Sequence, residues 1–158
     1  MKMEINQYNL TKNFRFESAH RLDRGYKGKC KNLHGHSWNG NIEVMYQGNL
    51  DQFDMAVDYT DLGKFTKWVE QYLDHKTLVF AGDKELLQYL SNGGQEHVVF
   101  NANPTCEVIA KELYDRAVAH FINEGKHFVK VVSVTIHETC TTGCKFTKQP
   151  QNKLDKPS

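Results

Sequence analysis

The strongest constraint on the fold is a long alternating run that begins with two histidines, His34–Tyr46. Nearly every second position in it is an imidazole or an apolar side chain. Those positions are His34, His36, Trp38, Ile42, Val44 and Tyr46. The positions between them are mostly polar, and a period of two residues is typical of a strand with one buried face. The sequence therefore predicts a strand whose buried face starts with two imidazoles.

A second alternating run, Thr11–His20, precedes the first and ends on a third imidazole. The residues on its less polar face are Phe14, Phe16, Ser18 and His20. A loop, residues 21–32, joins the two runs, and strands joined in this way are most simply antiparallel. The end of the first strand then lies beside the start of the second. We therefore expect His20 to meet His34 and His36.

Three imidazoles that leave a fourth position open are the ligand pattern of a catalytic zinc site. An H-x-H pair alone is more often two histidines on a polar strand face, but His20 and Cys30 nearby favour a metal. Cys30 lies four residues before His34, among basic residues that favour the reactive thiolate. It could be a general base, a nucleophile or a fourth ligand, and a buried inert cysteine is the alternative. The expected cofactor is Zn²⁺.

The overall charge argues against nucleic acid or a membrane surface as a partner. The 158 residues include 20 basic and 19 acidic ones, which nearly cancel. No apolar run reaches membrane-spanning length, and the N-terminus lacks a signal-peptide pattern. Four cysteines in a chain without such a signal suggest a reducing compartment, so we expect a cytoplasmic protein. Positive charge is concentrated in Arg21–Lys31, which is either a solvated loop or a site for an anionic substrate such as a phosphate chain.

Helical periodicity appears in the middle of the chain. Thr60 is the expected N-cap of an amphipathic helix of about 13 residues that ends near Leu73. Asp83 could cap a short helix. Thr105 is the expected cap of a second long helix, which Gly125 ends. The apolar stripe of this second helix is Ile109, Leu113, Ala117 and Phe121.

Two further strands follow, over residues 128–138 and 143–147, because alternation resumes there. The order β-β-α-α-β-β predicts an α+β fold, a four-stranded antiparallel sheet with two main helices on one face. We expect one domain, residues 1–148, and a polar C-terminal tail, residues 149–158. Such a sheet has open edges and one uncovered face, which a ring of subunits could hide.

Two other positions carry carboxylates of interest. Asp74 and His75 form a carboxylate–imidazole couple in which the acid could orient the ring; the alternative is a histidine favoured by the dipole at a helix C-terminus. Glu138 ends a strand whose other residues on that face are apolar, so its charge needs a partner. A ligand with two adjacent donors would suit it, and a side chain that reaches solvent is the alternative.

With these residues assembled, the chain resembles the 6-pyruvoyl-tetrahydropterin synthase superfamily, and especially its 6-carboxy-tetrahydropterin synthase branch of the queuosine (7-deazaguanine) pathway. The matching segments run in family order over about residues 12–147. They are Phe16–His20, Cys30–His36, Val57–Leu62, Leu73–His75, Asn103–Glu107 and Glu138–Cys144. The C-x-x-x-H-G-H and E-T-C-T-x-G-C patterns resemble the carboxy-forming branch rather than the pyruvoyl-forming one.

The resemblance implies a T-fold that assembles into a hexamer of two stacked trimers. It implies zinc ligands at His20, His34 and His36. It implies a proton-transfer set of Cys30, Asp74 and His75, assembled across a subunit boundary. It implies a pterin site at Glu138, with Thr105 and Glu107 beside it.

The implied substrate is 7,8-dihydroneopterin triphosphate, and the implied products are 6-carboxy-tetrahydropterin, acetaldehyde and triphosphate. Two features depart from the family pattern: Cys106 replaces the usual serine, and the segment Phe80–Phe100 is longer than in compact members. Two alternatives stay open. One is a 6-pyruvoyl-tetrahydropterin synthase, which keeps the side-chain carbons, and the other is a zinc-binding protein without turnover.

Overall fold

The computed structural model describes residues 5–149, and within them the chain forms three α-helices and a six-stranded mixed sheet. The elements are β1 (Gln7–His20), β2 (His34–Gln47), α1 (Tyr59–Leu73), β3 (Lys76–Phe80), α2 (Lys84–Asn92), β4 (His97–Phe100), α3 (Cys106–Asn123), β5 (Lys130–His137) and β6 (Gly143–Phe146). A 3₁₀ turn spans Lys29–Lys31. Of the expected tail, all but Gln149 lies outside the described residues. No helix within residues 5–149 has the length and apolarity that crossing a membrane requires.

The two long strands pair as the alternation predicts. β1 and β2 are antiparallel, and His20 lies directly opposite His34 at the end of the pair. On the face that carries these histidines, Phe16 and Trp38 stack with ring centroids 5.8 Å apart, and Ile42 is fully buried. The imidazoles therefore continue an apolar row that belongs to the core.

The two long helices cover that same face, as expected, and their apolar stripes enter one hydrophobic cluster with β1 and β2. Thr105 caps α3, and Asp83 caps α2, both as predicted. Thr60 was the wrong cap for α1, because Asp58 already provides it. The Asp58 carboxylate accepts a hydrogen bond from the Thr60 backbone N–H at 2.8 Å, so the helix begins at Tyr59.

The prediction of a four-stranded antiparallel sheet was wrong. The strand order is β4-β3-β1-β2-β5-β6, and β3 runs parallel to β1 and to β4. A parallel pair needs a crossover, and α2 supplies the one that connects β3 to β4. The segment Phe80–Phe100 thus contributes a helix and an edge strand, because its short apolar runs pair with a strand that is distant in sequence.

The short helix α2 packs on one face of β3, and the two long helices, α1 and α3, lie on the opposite face. Leu78 points into the main core, whereas its neighbour Val79 packs against Leu86 and Leu90 of α2. Successive residues of a strand point to opposite faces, so one short strand serves both layers. α2 therefore lies beside the end of β1, close to the loop that joins β1 to β2.

Candidate metal centre and active site

The three histidines expected to meet lie together at the end of the β1–β2 pair. The Nε2 atoms of His20 and His34 are 3.2 Å apart. Together with His36 and Glu138, they offer four ligand atoms that all lie within 4.8 Å of one another. The register of β1 and β2 brings the three histidines together, because it sets the last residue of one strand against the first of the other.

Backbone carbonyls fix the tautomers of two of these rings. His20 Nδ1 lies 2.7 Å from the Pro104 carbonyl, and His34 Nδ1 lies 2.7 Å from the Asn32 carbonyl. A carbonyl only accepts, so each Nδ1 carries the proton and donates it. In neutral rings both Nε2 atoms then present lone pairs, which repel each other at 3.2 Å unless a cation lies between them.

The remaining observations also fit a metal ion. His36 Nε2 is buried and makes no hydrogen bond, although the Glu138 carboxylate oxygen Oε1 lies 3.2 Å away. Burial lowers the pKa of His20 and of His36 below the usual value of 6.5, although the Glu138 carboxylate opposes the shift in both. Both rings therefore stay neutral at physiological pH, which is the form that binds metal. Three imidazole nitrogens with one carboxylate oxygen nearby is a donor set that suits zinc.

The structure places Glu138 in this group, which the sequence did not indicate. Its Oε1 atom lies 3.2 Å from His20 Nε2 and from His36 Nε2. The carboxylate is one quarter exposed, whereas Val134 and Ile136 before it are fully buried. The pairing of β5 with β2 brings it there, and alternation within a single strand does not reveal which partner a strand has.

A tight turn after β5 holds Glu138 in place. The Glu138 backbone N–H donates to the Thr142 carbonyl at 3.2 Å, and Gly143 then pairs with His137. A Cβ at Gly143 would come within 2.8 Å of the Ile136 carbonyl oxygen, which a side-chain rotation cannot relieve. Glycine at this position therefore allows the hairpin to close beside the histidines.

Asp74 and His75 form a bonded couple immediately after α1. Asp74 Oδ2 lies 2.7 Å from His75 Nδ1, and Asp74 Oδ1 accepts from the Glu17 backbone N–H at 2.7 Å. The Glu17 N–H, and after it the bond to His75, hold the pKa of Asp74 below its usual range. His75 has φ of +56°, and this left-handed backbone turns two adjacent side chains toward each other. Side chains of adjacent residues diverge on a regular helix, so this irregular backbone is what lets both groups serve one site.

A cavity of about 420 Å³ lies at this end of the sheet. Its lining comprises Glu17, Ser18, Ala19, Gly35, His36, Ser37, His75, Lys76 and Thr77. His36 and His75 thus share one cavity, although the His75 side chain is 80% exposed. Cys30 is half-buried in the 3₁₀ turn. Among residues 5–149, the group of converging ligand atoms includes neither Cys30 nor the Asp74–His75 couple.

The start of α3 supports the histidine group from the other side. Pro104 contributes the carbonyl that meets His20, and the next residue, Thr105, caps the helix. Glu107 lies in the first turn, where its carboxylate accepts from the Cys106 thiol at 3.5 Å. Burial raises the pKa of Cys106 to about 11, so it remains a thiol. Cys106 therefore makes a polar contact at the position where the resemblance implies a serine.

The chain is similar to several known proteins. The sequence matches the family described as 6-pyruvoyl tetrahydropterin synthase over residues 9–149. It is 32% identical over 131 residues to the 6-carboxy-5,6,7,8-tetrahydropterin synthase of Rickettsia bellii, which covers 82% of this chain and 92% of that protein. It is 31% identical over 153 residues to the protein of the same name from Haemophilus influenzae, with 88% and 98% covered.

Solved structures show the same fold at lower identity. An uncharacterised protein from Wolinella succinogenes superposes with a TM-score of 0.76 at 21% identity, covering 91% of this chain and 99% of that one. The 6-pyruvoyl tetrahydropterin synthase of Caenorhabditis elegans superposes with a TM-score of 0.61, also at 21% identity, covering 94% and 99%. The family match extends over nearly all of the described residues, and we conclude that this chain belongs to the 6-pyruvoyl tetrahydropterin synthase family.

Proposed function

We propose that this protein is a zinc-dependent lyase that converts 7,8-dihydroneopterin triphosphate to 6-carboxy-tetrahydropterin, acetaldehyde and triphosphate, a step in making queuosine precursors. The observation that carries the proposal is the convergence of three imidazole Nε2 atoms, two of them on rings whose Nδ1 protons are held by carbonyls. The names of the curated relatives support this reaction over others in the family.

His20, His34 and His36 are the proposed zinc ligands. Zinc bound there would supply a positive charge that acidifies the C–H bonds next to the substrate's side-chain oxygens. Neutral imidazoles suit this role, because they leave the full charge of the ion available to the substrate. Because His20 is buried, water cannot reach the proposed zinc site from the side of the core.

Cys30, Asp74 and His75 are the proposed proton-transfer groups. The Cys30 thiolate would take a proton from the side-chain carbon. His75 would serve a hydroxyl or the opposite face of that carbon, since Asp74 orients its ring and stabilises the imidazolium that forms. Release of acetaldehyde requires a side-chain hydroxyl to lose its proton, and His75 would accept that proton as a general base.

Glu138 is the proposed anchor of the pterin ring, with Thr105 and Glu107 beside it. The amino-pyrimidinone edge of a pterin has two adjacent donors, which match the two oxygens of one carboxylate. Glu138 is one quarter exposed, so a ligand can reach it. The cations of Arg24–Lys31 are the proposed site of the triphosphate.

The resemblance implies that the proton-transfer groups, which lie outside the ligand group of one chain, complete a site shared between neighbouring copies. We therefore include in the proposal a homohexamer of two stacked trimers. Light scattering should give six times the chain mass of 18.3 kDa. A monomer with full activity would contradict a shared site.

The decisive experiment incubates zinc-loaded protein with 7,8-dihydroneopterin triphosphate and identifies the pterin and any aldehyde by mass spectrometry. Acetaldehyde together with a carboxylated pterin is the expected result. A pterin that keeps its three-carbon side chain would identify the pyruvoyl reaction instead. Intact substrate beside stoichiometric zinc would indicate a metal-binding protein without turnover.

A further inference from the structure

Residues at the junction between β3 and α2 bind the 21–32 loop, which carries Cys30. Arg21, the first residue of this loop, donates from Nε to Asp83 Oδ2 and from Nη2 to Asp83 Oδ1, both at 2.7 Å. Asp83 is only 3% exposed, and its Oδ1 also accepts from the Leu86 backbone N–H at 3.1 Å, which caps α2. One buried carboxylate thus joins the helix to the loop.

Two more contacts hold the same part of the loop. The Arg24 guanidinium lies 4.2 Å from the centroid of the Phe80 ring, which packs directly over Gly82. The Asp23 backbone N–H donates to Asn103 Oδ1 at 2.9 Å, and Asn103 Nδ2 donates to the Asp23 carbonyl at 3.2 Å. Three of the first four loop residues are therefore fixed by partners outside the loop.

One backbone hydrogen bond connects this fixed part of the loop to Cys30. The Leu22 N–H, between the fixed residues Arg21 and Asp23, donates to the Cys30 carbonyl at 2.8 Å. The loop also contains five cations, Arg21, Arg24, Lys27, Lys29 and Lys31, against the single acid Asp23. Their mutual repulsion favours an open loop, and the Asp83 carboxylate opposes it by neutralising one of them.

We propose that Asp83 is a positioning residue for Cys30: it holds Arg21, and through the Leu22–Cys30 bond it keeps the 21–32 loop in the conformation that presents the thiol. This inference rests on the proposed function for its catalytic meaning, since it assumes that Cys30 acts in the reaction. It assigns a role to the segment Phe80–Phe100, which the sequence left without one. Asp83 touches no reacting group and acts through the loop alone.

The test is hydrogen exchange on the full-length protein with Asp83→Asn, read by mass spectrometry on peptides from residues 21–32 and 84–92. Asparagine is also a good N-cap, so α2 should keep its protection. The amide oxygen that keeps the cap stands at the Oδ1 position, so the N–H₂ replaces Oδ2 and faces Arg21 Nε. The bidentate pair is then lost, and the loop should exchange roughly tenfold faster. Glu85→Gln is the matched control. Glu85 also contacts Arg21, at 3.2 Å, but is 89% exposed, so this change should leave exchange unaltered.

Arg21→Lys gives a second, independent variant, because it leaves the Asp83 cap intact but cannot form the bidentate pair. Loop exchange that stays at the parent rate in both variants overturns the inference, as does faster exchange confined to α2. These readouts need no substrate, so they fail or succeed independently of the proposed function.

A kinetic readout tests the link to Cys30. At saturating substrate, and at a temperature where all variants are fully folded, kcat should fall roughly fivefold or more in Asp83→Asn and Arg21→Lys. Zinc content should stay at the parent level, and Glu85→Gln should keep the parent kcat. A purely structural role would lower Tm without changing the kcat of the folded protein. Unchanged kcat with a loosened loop would therefore refute a positioning role.

Discussion

Ser18 offers a sharp test of how the chain holds the Asp74–His75 couple. It lies on the His20 face of β1 and is 6% exposed. Its hydroxyl donates to the carbonyl of Leu73, the last residue of α1. That carbonyl belongs to the last turn of a helix, where no intrahelical partner exists, and Leu73 is fully buried. Ser18→Ala would leave it unsatisfied.

The expected loss of stability follows from that burial. A buried acceptor without a partner costs about 1–3 kcal/mol, and the removed oxygen is too small to leave a significant cavity. We expect the free energy of unfolding to fall by about 1–2 kcal/mol, because the alanine no longer buries a hydroxyl. For a chain of this length, that loss lowers Tm by roughly 2–8 °C.

Urea denaturation of metal-free protein measures this loss without a contribution from bound zinc. The matched control is Ser37→Ala on the neighbouring strand. Ser37 is exposed, and its hydroxyl donates to Glu17 Oε2 at 2.6 Å, where water can replace it. The control should cost less than about 0.5 kcal/mol. Equal losses in the two variants would refute the assignment of the Ser18–Leu73 bond as a buried anchor.

Four further outcomes are expected. His20→Ala should abolish zinc retention, measured by elemental analysis, and stoichiometric zinc would remove His20 from the ligand set. Cys30→Ala should retain zinc and lose most turnover; purification without zinc would indicate a closed structural site. Glu138→Gln should weaken pterin affinity, measured by titration, by at least about tenfold, because it replaces an acceptor with a donor; unchanged affinity would exclude the anchor role. Burial lowers the folded-state pKa of His20 and His36 below 6.5, so the unfolded chain binds more protons than the folded one. The free energy of unfolding of metal-free protein should therefore fall as pH drops from about 7 to 5. A free energy of unfolding that does not change with pH in denaturant titrations would contradict this.

Local pattern was enough to predict the pair of strands that carries the histidines. A period of two residues assigned His20, His34 and His36 to buried faces, and a loop that joins the two strands directly left an antiparallel pairing as the simplest one. Helix caps at Asp83 and Thr105 were equally local, since a cap bonds to the backbone N–H three residues later. These predictions succeeded because each depends on residues close in sequence.

The errors arose where distant residues decide. Lys76–Phe80 forms a strand only because it lies beside the end of β1, and His97–Phe100 only because α2 returns the chain beside β3. The error at the start of α1 was local instead: the sequence assigned the cap to Thr60, two residues too late, although Asp58 was equally suitable by residue type.

The sequence by itself thus determined the buried faces, the three imidazoles and the strand pair that joins them. Tertiary structure alone decided that Glu138 lies 3.2 Å from two of those imidazoles, that the Pro104 carbonyl fixes the His20 tautomer, and that Asp83 holds Arg21. The physical reason is the same in each case. Periodicity specifies which way a side chain faces along its own element, but the register between elements distant in sequence follows from how the whole core packs.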